Sequence, residues 1–267
     1  MIRTVAIIQA RVSSLRLPGK VFADIHGKPM LQRVYERVKK ANLLDDVVIA
    51  TSFAEEDYQI VQWGQNNGVP VYRGGTTLEQ WCLAKGIEPP PGADKRNDVL
   101  GRYWDVAQNV KADVIVRITA DCPMHDAAVI DACVKAFGVT DYLCNTEPIP
   151  TFPDGLDVEV FSISALMEAN SDAHLATDRE HVTPWMRRRT TGALNVSHDI
   201  DLGHYRWTVD EPADLEFVRA VYHELGGDFG MEDVLALLER KPELAQINAH
   251  IGRNEGYKKS LEEERKK

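Results

Sequence analysis

A repeating rhythm of short apolar runs and helical stretches constrains this chain more than anything else. "VAIIQA" (5–10), "DVVIATS" (46–52), "VPVYRG" (69–74), "ADVIVRITADCP" (112–123) and "DYLCNT" (141–146) read as strands. Between them, "PMLQRVYERVKKANL" (29–43), "EEDYQIVQWGQNNG" (55–68), "NDVLGRYWDVAQNV" (97–110) and "HDAAVIDACVKAF" (125–137) repeat apolar residues at helical spacing. Near-continuous apolar strands are those of a parallel sheet covered on both faces. The alternation therefore predicts an α/β fold with an open, mostly parallel sheet and right-handed crossovers.

From residue 150 the rhythm changes. "DGLDVEVFS" (154–162) alternates like a strand, "ALMEANSDA" (165–173) is helical, and "DREHVTPWMRRR" (178–189) opens another helix. "YRWTVDEPADLEFVRAVYHEL" (205–225) reads as strand, turn and helix, with Pro212 in the first helical turn. No linker separates this part, so residues 150–205 are expected to form a small lobe on a single domain spanning 1–255. The tail 256–267 is charged throughout and expected to fray. Residues 75–96 form a long loop with one helical turn at "LEQWCLAKG", because Pro89, Pro90, Pro91 and Gly92 fit neither helix nor central strand.

The chain has 267 residues and a formal net charge of -10, which argues against a nucleic-acid-binding face. No apolar run approaches the roughly 20 residues that span a bilayer. The N-terminal run lacks signal-peptide architecture. Cys82, Cys122, Cys133 and Cys144 have no zinc-type spacing and read as reduced thiols of a cytoplasmic protein.

Against that acidic background, Arg11, Arg16 and Lys20 crowd into one loop straight after the first strand, with Ser13, Ser14, Pro18 and Gly19. In a parallel sheet, ligands bind at the carboxyl ends of strands. Arg16 can grip phosphate bidentately and Lys20 supplies a point charge, so the loop suits a polyphosphate. A solvated basic turn accounts for the same residues. Asp121 in "RITADCP" and Asp210 in "WTVDEP" each end an apolar strand, and together would make a hard oxygen site suited to Mg2+. Each could instead cap the helix that follows. In "DGLDVEV" and "DREHVTP", Asp157 and Glu159 share a strand face, and Arg179, Glu180 and His181 sit at a helix start that Asp178 could cap. These residues either surround an acceptor, with Arg179 or His181 on its anionic group, or brace the lobe as an ion-pair network.

The loop and its flanks, "IIQARVSSLRLPGKVFADIHGKPMLQRVYERV", resemble the N-terminal signature of the acylneuraminate/KDO cytidylyltransferase family, most of all its SpsF-type, spore-coat polysaccharide branch. The likeness resumes at "VVIATS", "VYRG", "NDVLGRY", "RITADCP", "DGLDVEVF", "REHVTP", "WTVDEPADLEFV" and "GYKKSL". It implies a Rossmann-like nucleotide-diphospho-sugar transferase fold, CTP as substrate, Mg2+, and release of pyrophosphate. Arg11, Arg16 and Lys20 match triphosphate positions, and Asp121 and Asp210 match metal-binding aspartates. Ala10, Ser14, Thr51, Ser52, Asp98, Arg102 and Thr119 fall in segments around the nucleotide. Asp154, Asp157, Glu159, Arg179, Glu180 and His181 fall near the acceptor, an anionic small molecule such as an acidic sugar or a phosphorylated or phosphonate compound. A homodimer is expected, with the 150–205 lobe serving acceptor and dimer contacts.

This chain departs from the pattern at 75–96, which looks inserted and puts base contacts from that side in question; a lid or an oligomer contact would explain it. A glycosyltransferase on the same fold would use a DxD-type metal motif, which "DCP" and "DEP" are not. A non-catalytic assembly partner has no use for Arg16, Lys20, Asp121 and Asp210 together.

Overall fold

The computed structural model describes residues 1–14, 16–86, 88–89, 98–138, 140–190 and 194–253. Its strands are β1 (Thr4–Gln9), β2 (Asp24–Ile25), β3 (Lys28–Pro29), β4 (Asp46–Thr51), β5 (Val71–Arg73), β6 (Val114–Thr119), β7 (Tyr142–Cys144), β8 (Glu159–Ser162) and β9 (Leu194–Asn195). Seven of them form one sheet in the order β5-β4-β1-β6-β8-β7-β9, while β2 and β3 make a separate hairpin. β5, β4, β1 and β6 are parallel, with Ile7 of β1 aligned to Val48 on one side and Arg117 on the other. β8 runs antiparallel to both β6 and β7, and β9 is parallel to β7. The expected α/β fold with a mostly parallel sheet is what forms.

The apolar character of β1 follows from its place. Val5, Ala6, Ile7 and Ile8 are all fully buried, but they alternate between two cores. Val5 and Ile7 pack with Leu100, Tyr103 and Val106 of α4 (Val99–Val110), whereas Ala6 and Ile8 pack with Leu31 and Val34 of α1 (Met30–Val38). A strand with helices on both faces has no polar side, so its sequence cannot alternate.

The remaining helices are α2 (Tyr58–Asn67), α3 (Leu78–Ala84), α5 (Ala127–Phe137), α6 (Ile163–Asp172), α7 (Ala176–His181), α8 (Pro184–Arg189), α9 (Pro212–Leu225), α10 (Met231–Arg240) and α11 (Glu243–Gln246). Several differ from expectation. The strand read over 154–162 is regular only from Glu159, because Gly155 (φ 111°) turns the chain before it. Asp178 does not cap the helix near it but lies within α7, so Arg179, Glu180 and His181 lie in its last turn rather than at its start. The stretch Tyr205–Val209 is not a strand of the sheet. It is threaded between two loops, with Trp207 N donating to Asp154 O at 2.6 Å and Val209 N to Asp121 O at 2.8 Å.

The segment 75–96 holds a helix of seven residues rather than a single turn, started by a Thr77–Gln80 capping box. Leu78, Trp81 and Cys82 of α3 pack with Ala176 of α7, so this part lies on the chain's own lobe, while Leu83 stays exposed. Pro90, Pro91 and Gly92, and the tail 256–267, lie outside the described residues. The 150–205 lobe is not a separate layer, since it supplies β8 and β9 to the common sheet.

β1 and β6 are neighbours, yet the chain leaves β1 toward β4 and β5, and leaves β6 toward β7 and β8. That reversal opens a crevice at their carboxyl ends, where ligands bind in open α/β sheets. Close backbone approach at Gly155 sets one wall. A Cβ there would lie 2.6 Å from Thr208 N and 2.7 Å from the Trp207 carbonyl carbon. Gly155→Ala is therefore expected to cost about 1–3 kcal/mol, as overpacking does; urea melts check this, and an unchanged midpoint would show that the 205–209 segment yields freely.

Candidate active site

The loop after β1 is tied down before its cations are placed. Ala10 N donates to Ala50 O at 2.9 Å, and the Thr51 hydroxyl donates to Ala10 O at 2.9 Å. Asp57 then accepts from Val12 N at 2.7 Å and from the Ser52 hydroxyl at 2.5 Å. Gly19 at φ 70° turns the chain into a 3-10 turn at Lys20–Phe22, and Leu17 N rests on the Ser14 hydroxyl at 3.4 Å. A left-handed backbone without strain is what glycine offers at that corner.

Lys20 lands at the centre of the crevice. Its Nζ donates to Asp121 Oδ2 at 3.0 Å, Asp210 Oδ1 at 2.8 Å and Val209 O at 2.8 Å. An ammonium has three hydrogens, so this set is complete. Burial pulls the Lys20 pKa down, but Asp121 and Asp210 outweigh it and raise the value above the ordinary one. Burial likewise pushes Asp121 up, and Lys20 with the Thr119 hydroxyl more than reverses this, holding Asp121 below the usual carboxylate range. Arg16 reaches Asp210 Oδ2 at 2.9 Å and Glu211 Oε1 at 3.4 Å from a half-buried position. Arg11 is exposed, and its charge is felt at Arg102 and His181.

The alternative that Asp121 and Asp210 serve as helix caps does not hold. Asp126 caps α5, accepting from Ala128 N and Val129 N, and Glu211 is the N-cap of α9, whose first residue is Pro212. Both aspartates instead face Lys20, and their oxygens converge on one point.

The other candidates divide by whether their polar atoms are already committed. Thr51 and Ser52 are buried and donate within the chain, so they hold the loop. Asp98 caps α4 through Gly101 N at 2.9 Å and accepts both Nε and Nη2 of Arg179, at 2.8 and 2.5 Å. Arg179 is fully buried under the Trp81 ring, 4.2 Å from its centroid. These contacts brace the lobe, one of the two roles its sequence context left open. Arg102 is buried beside Gly74, its Nε 3.4 Å from the Gly74 carbonyl. Glu159 is a hub rather than an open ligand. It accepts from Arg117 at 2.5 Å and from Arg187, Tyr142 and Thr183 at 2.6 Å each. Burial works against its charge, and Arg187 and Arg117 overcome this to hold it below the usual range.

His181 is lowered to about 4 by burial, Arg117 and Arg187, so at neutral pH it carries no charge with which to hold an anion. Glu180 is partly exposed beside it. Asp154 is buried and Asp157 half-buried, paired with Arg206 at 2.9 Å and Arg253 at 2.5 Å. Arg206, Arg253, Arg117, Asp57 and Asp214 were not singled out from sequence. Arg253 and Arg117 find their partners far along the chain, at Asp157 and Glu159, and the nearer pairs Asp57–Ser52 and Arg206–Asp214 match no spacing that was read as a motif.

Asp154 is raised to about 7 by burial and by Asp157, against the pull of Arg253 and Arg206. A carboxyl raised in the folded state favours folding when protonated, so its contribution is full below its unfolded value near 4 and is lost as pH climbs to 7. Relative to Asp154→Asn, the wild-type protein should therefore lose stability between about pH 4 and 7 and then level off. Denaturant midpoints over that range test this; a pH-independent gap would show that Arg206 and Arg253 keep Asp154 ionised.

Comparison with known proteins agrees with this geometry. The family model for cytidylyltransferases matches residues 5–76, which hold the Arg11–Lys20 loop. The spore coat polysaccharide biosynthesis protein SpsF of Bacillus subtilis is 29% identical over 250 residues, covering 90% of this chain and 95% of that protein. The 3-deoxy-manno-octulosonate cytidylyltransferase of Geobacter metallireducens is 36% identical over 129 residues, covering 48% of this chain and 42% of that one. A solved cytidylyltransferase from Leptospira borgpetersenii superposes with a TM-score of 0.80 at 28% identity, covering 92% of this chain and 98% of its own. With the signature loop, the sheet and the crevice all in place, the match to the cytidylyltransferase family over residues 5–76 and the similarity to SpsF and to a solved cytidylyltransferase along nearly the whole chain support a CTP-dependent nucleotidyltransferase.

Proposed function

We propose that the protein transfers CMP from CTP to an anionic small-molecule acceptor and releases pyrophosphate. The observation that carries this reading is the convergence of Asp121 and Asp210 on Lys20, beside Arg16, at the carboxyl ends of β1 and β6. Arg16 and Lys20 rest on the chain's own carboxylates while Arg11 is exposed, and a triphosphate is the external anion that matches the three in charge and reach.

Asp121 and Asp210 fit Mg2+. Their oxygens approach one point, and no cluster of three His, Cys, Asp or Glu side chains is found among the described residues. Mg2+ is held in such sites by one or two carboxylates plus waters and substrate phosphates. Bound there, it would supply charge neutralisation on the phosphates. The chain's own groups do the rest. Arg16 and Lys20 turn toward the triphosphate and stabilise charge on the departing pyrophosphate as an acceptor oxygen forms its bond to the α-phosphorus. Such transfer depends on positioning and electrostatics rather than on a covalent intermediate. Cys122, buried and raised well above its ordinary value by burial and Asp121, is no nucleophile.

Arg187, Arg117 and Arg253 keep the Asp154–Glu159 side of the crevice near neutral, which admits an acidic acceptor. Cytoplasmic location and a homodimer belong to the same proposal. All four cysteines are buried and free, and no helix among the described residues is long and apolar enough to cross a membrane.

CTP with Mg2+ is expected to raise Tm more than ATP or GTP at equal concentration, by binding linkage. Equal shifts would remove the cytidylyl assignment. Arg16→Ala and Lys20→Ala should each cut kcat on the order of 10²-fold with the fold retained, the usual effect of deleting a transition-state donor, and Lys20→Ala should also lower Tm because it leaves Asp121 and Asp210 without their shared cation. Pyrophosphate release across a panel of acidic sugars and phosphonates reads both, and wild-type rates in the two variants would reduce the loop to a solvated turn.

A further inference from the structure

Behind Asp210 lies a buried group that the reaction as described leaves unused. Arg206 is 7% exposed, and each of its five N–H donors is committed. Nε and Nη2 grip Asp214 Oδ1 and Oδ2 at 2.9 and 3.0 Å. Nη2 also approaches Asp210 Oδ2 at 3.4 Å, and Nη1 donates to Asp154 Oδ2 at 2.9 Å and Gly252 O at 3.2 Å.

Asp214 in turn accepts from the backbone N–H of Asp210 and of Glu211, each at 2.9 Å, and from Asn248 Nδ2 at 3.0 Å. The Asn248 amide also donates to Arg206 O at 2.9 Å. Asp210 is thus fixed twice: its backbone by Asp214, and its carboxylate by Arg206 from the side away from Lys20. The same guanidinium holds Asp154 of the neighbouring turn, whose backbone lies against Arg206 in an isolated parallel bridge.

We propose that Arg206 is a positioning residue for the reaction, holding Asp210 in the orientation that receives metal and triphosphate and locking it to the Asp154 wall. The inference rests on Asp210 being a metal-side carboxylate. A lone cap would need only the two backbone bonds to Asp214. A planar fork that spans three carboxylates is a device for fixing their mutual geometry. Partners that orient a metal's carboxylates commonly change metal affinity or activity about 10–100-fold when altered.

The test is Mn2+ binding to the CTP-loaded full-length protein, followed by water-proton relaxation, together with kcat. Arg206→Lys keeps the charge but loses the fork, and should weaken Mn2+ binding and kcat about 10–100-fold. Arg179→Lys, a buried arginine that only braces the lobe, should lower Tm yet leave Mn2+ affinity within about twofold of wild type. If Arg206→Lys does not fold, Asn248→Ala loosens Asp214 more gently and should weaken Mn2+ binding several-fold, on the order of 3–10-fold. Wild-type Mn2+ affinity in whichever of these two variants folds overturns the proposal. Asp210→Asn in the same titration separates the two levels: if it loses Mn2+ while Arg206→Lys keeps it, only the positioning role falls, and if it binds Mn2+ normally the metal assignment falls and takes the positioning role with it.

Discussion

The Lys20 ammonium is the contact on which the site depends. It joins the loop after β1, the loop after β6 and the segment before α9, and its partners Asp121 and Asp210 lie 101 and 190 positions away. Without it, two carboxylates would face each other in a partly buried crevice, which like charges resist. Lys20 offsets part of their charge and Arg16, on the other oxygen of Asp210, offsets more.

Around that centre, buried ion pairs set the geometry of the walls. Glu159 ties β8 to Arg117 of β6 and Arg187 of α8, and Arg179 ties α7 to the N-terminus of α4 through Asp98. Each pair has its remaining hydrogen-bonding capacity largely met by Tyr142 and Thr183, or by Asn170 and Gly101. That is the condition under which buried charges are tolerated. The cost of breaking one falls on the partner left behind, so removing either member should destabilise the walls.

Much of the fold was legible in the residues. Strands such as Val5–Ile8 and Val47–Ala50 are apolar without alternation, and this marks a sheet covered on both faces whatever its partners are. The strand-end rule then located the crevice, and the Arg11–Lys20 loop with Asp121 and Asp210 was visible as charge placed where such a crevice opens. The misreadings came where periodicity misleads. "DGLDVEVFS" alternates, but Gly155 bends its first half away, and "YRWTV" is apolar because Trp207 and Val209 are threaded through the core, not because it joins the sheet.

The sequence by itself determined the α/β architecture and placed Lys20, Asp121 and Asp210 at strand ends on one edge of the sheet, but a solvated turn and two helix caps stayed open for them until the structure brought the three together. Local patterns carry those because strand and helix periods, and the turn that Gly19 permits, are written over a few neighbouring residues. Tertiary structure alone decided which charges are free to act. Arg16 and Arg179 are the same side chain, yet one lies half-exposed against Asp210 and the other is sealed between Asp98 and Trp81. Arg206 lies only four residues before Asp210, but its fork reaches Asp154 only because the 205–209 segment is drawn against the Asp154 turn. The strength of a charged contact depends on distance and on the water excluded around it, and both are fixed by segments far apart in the chain.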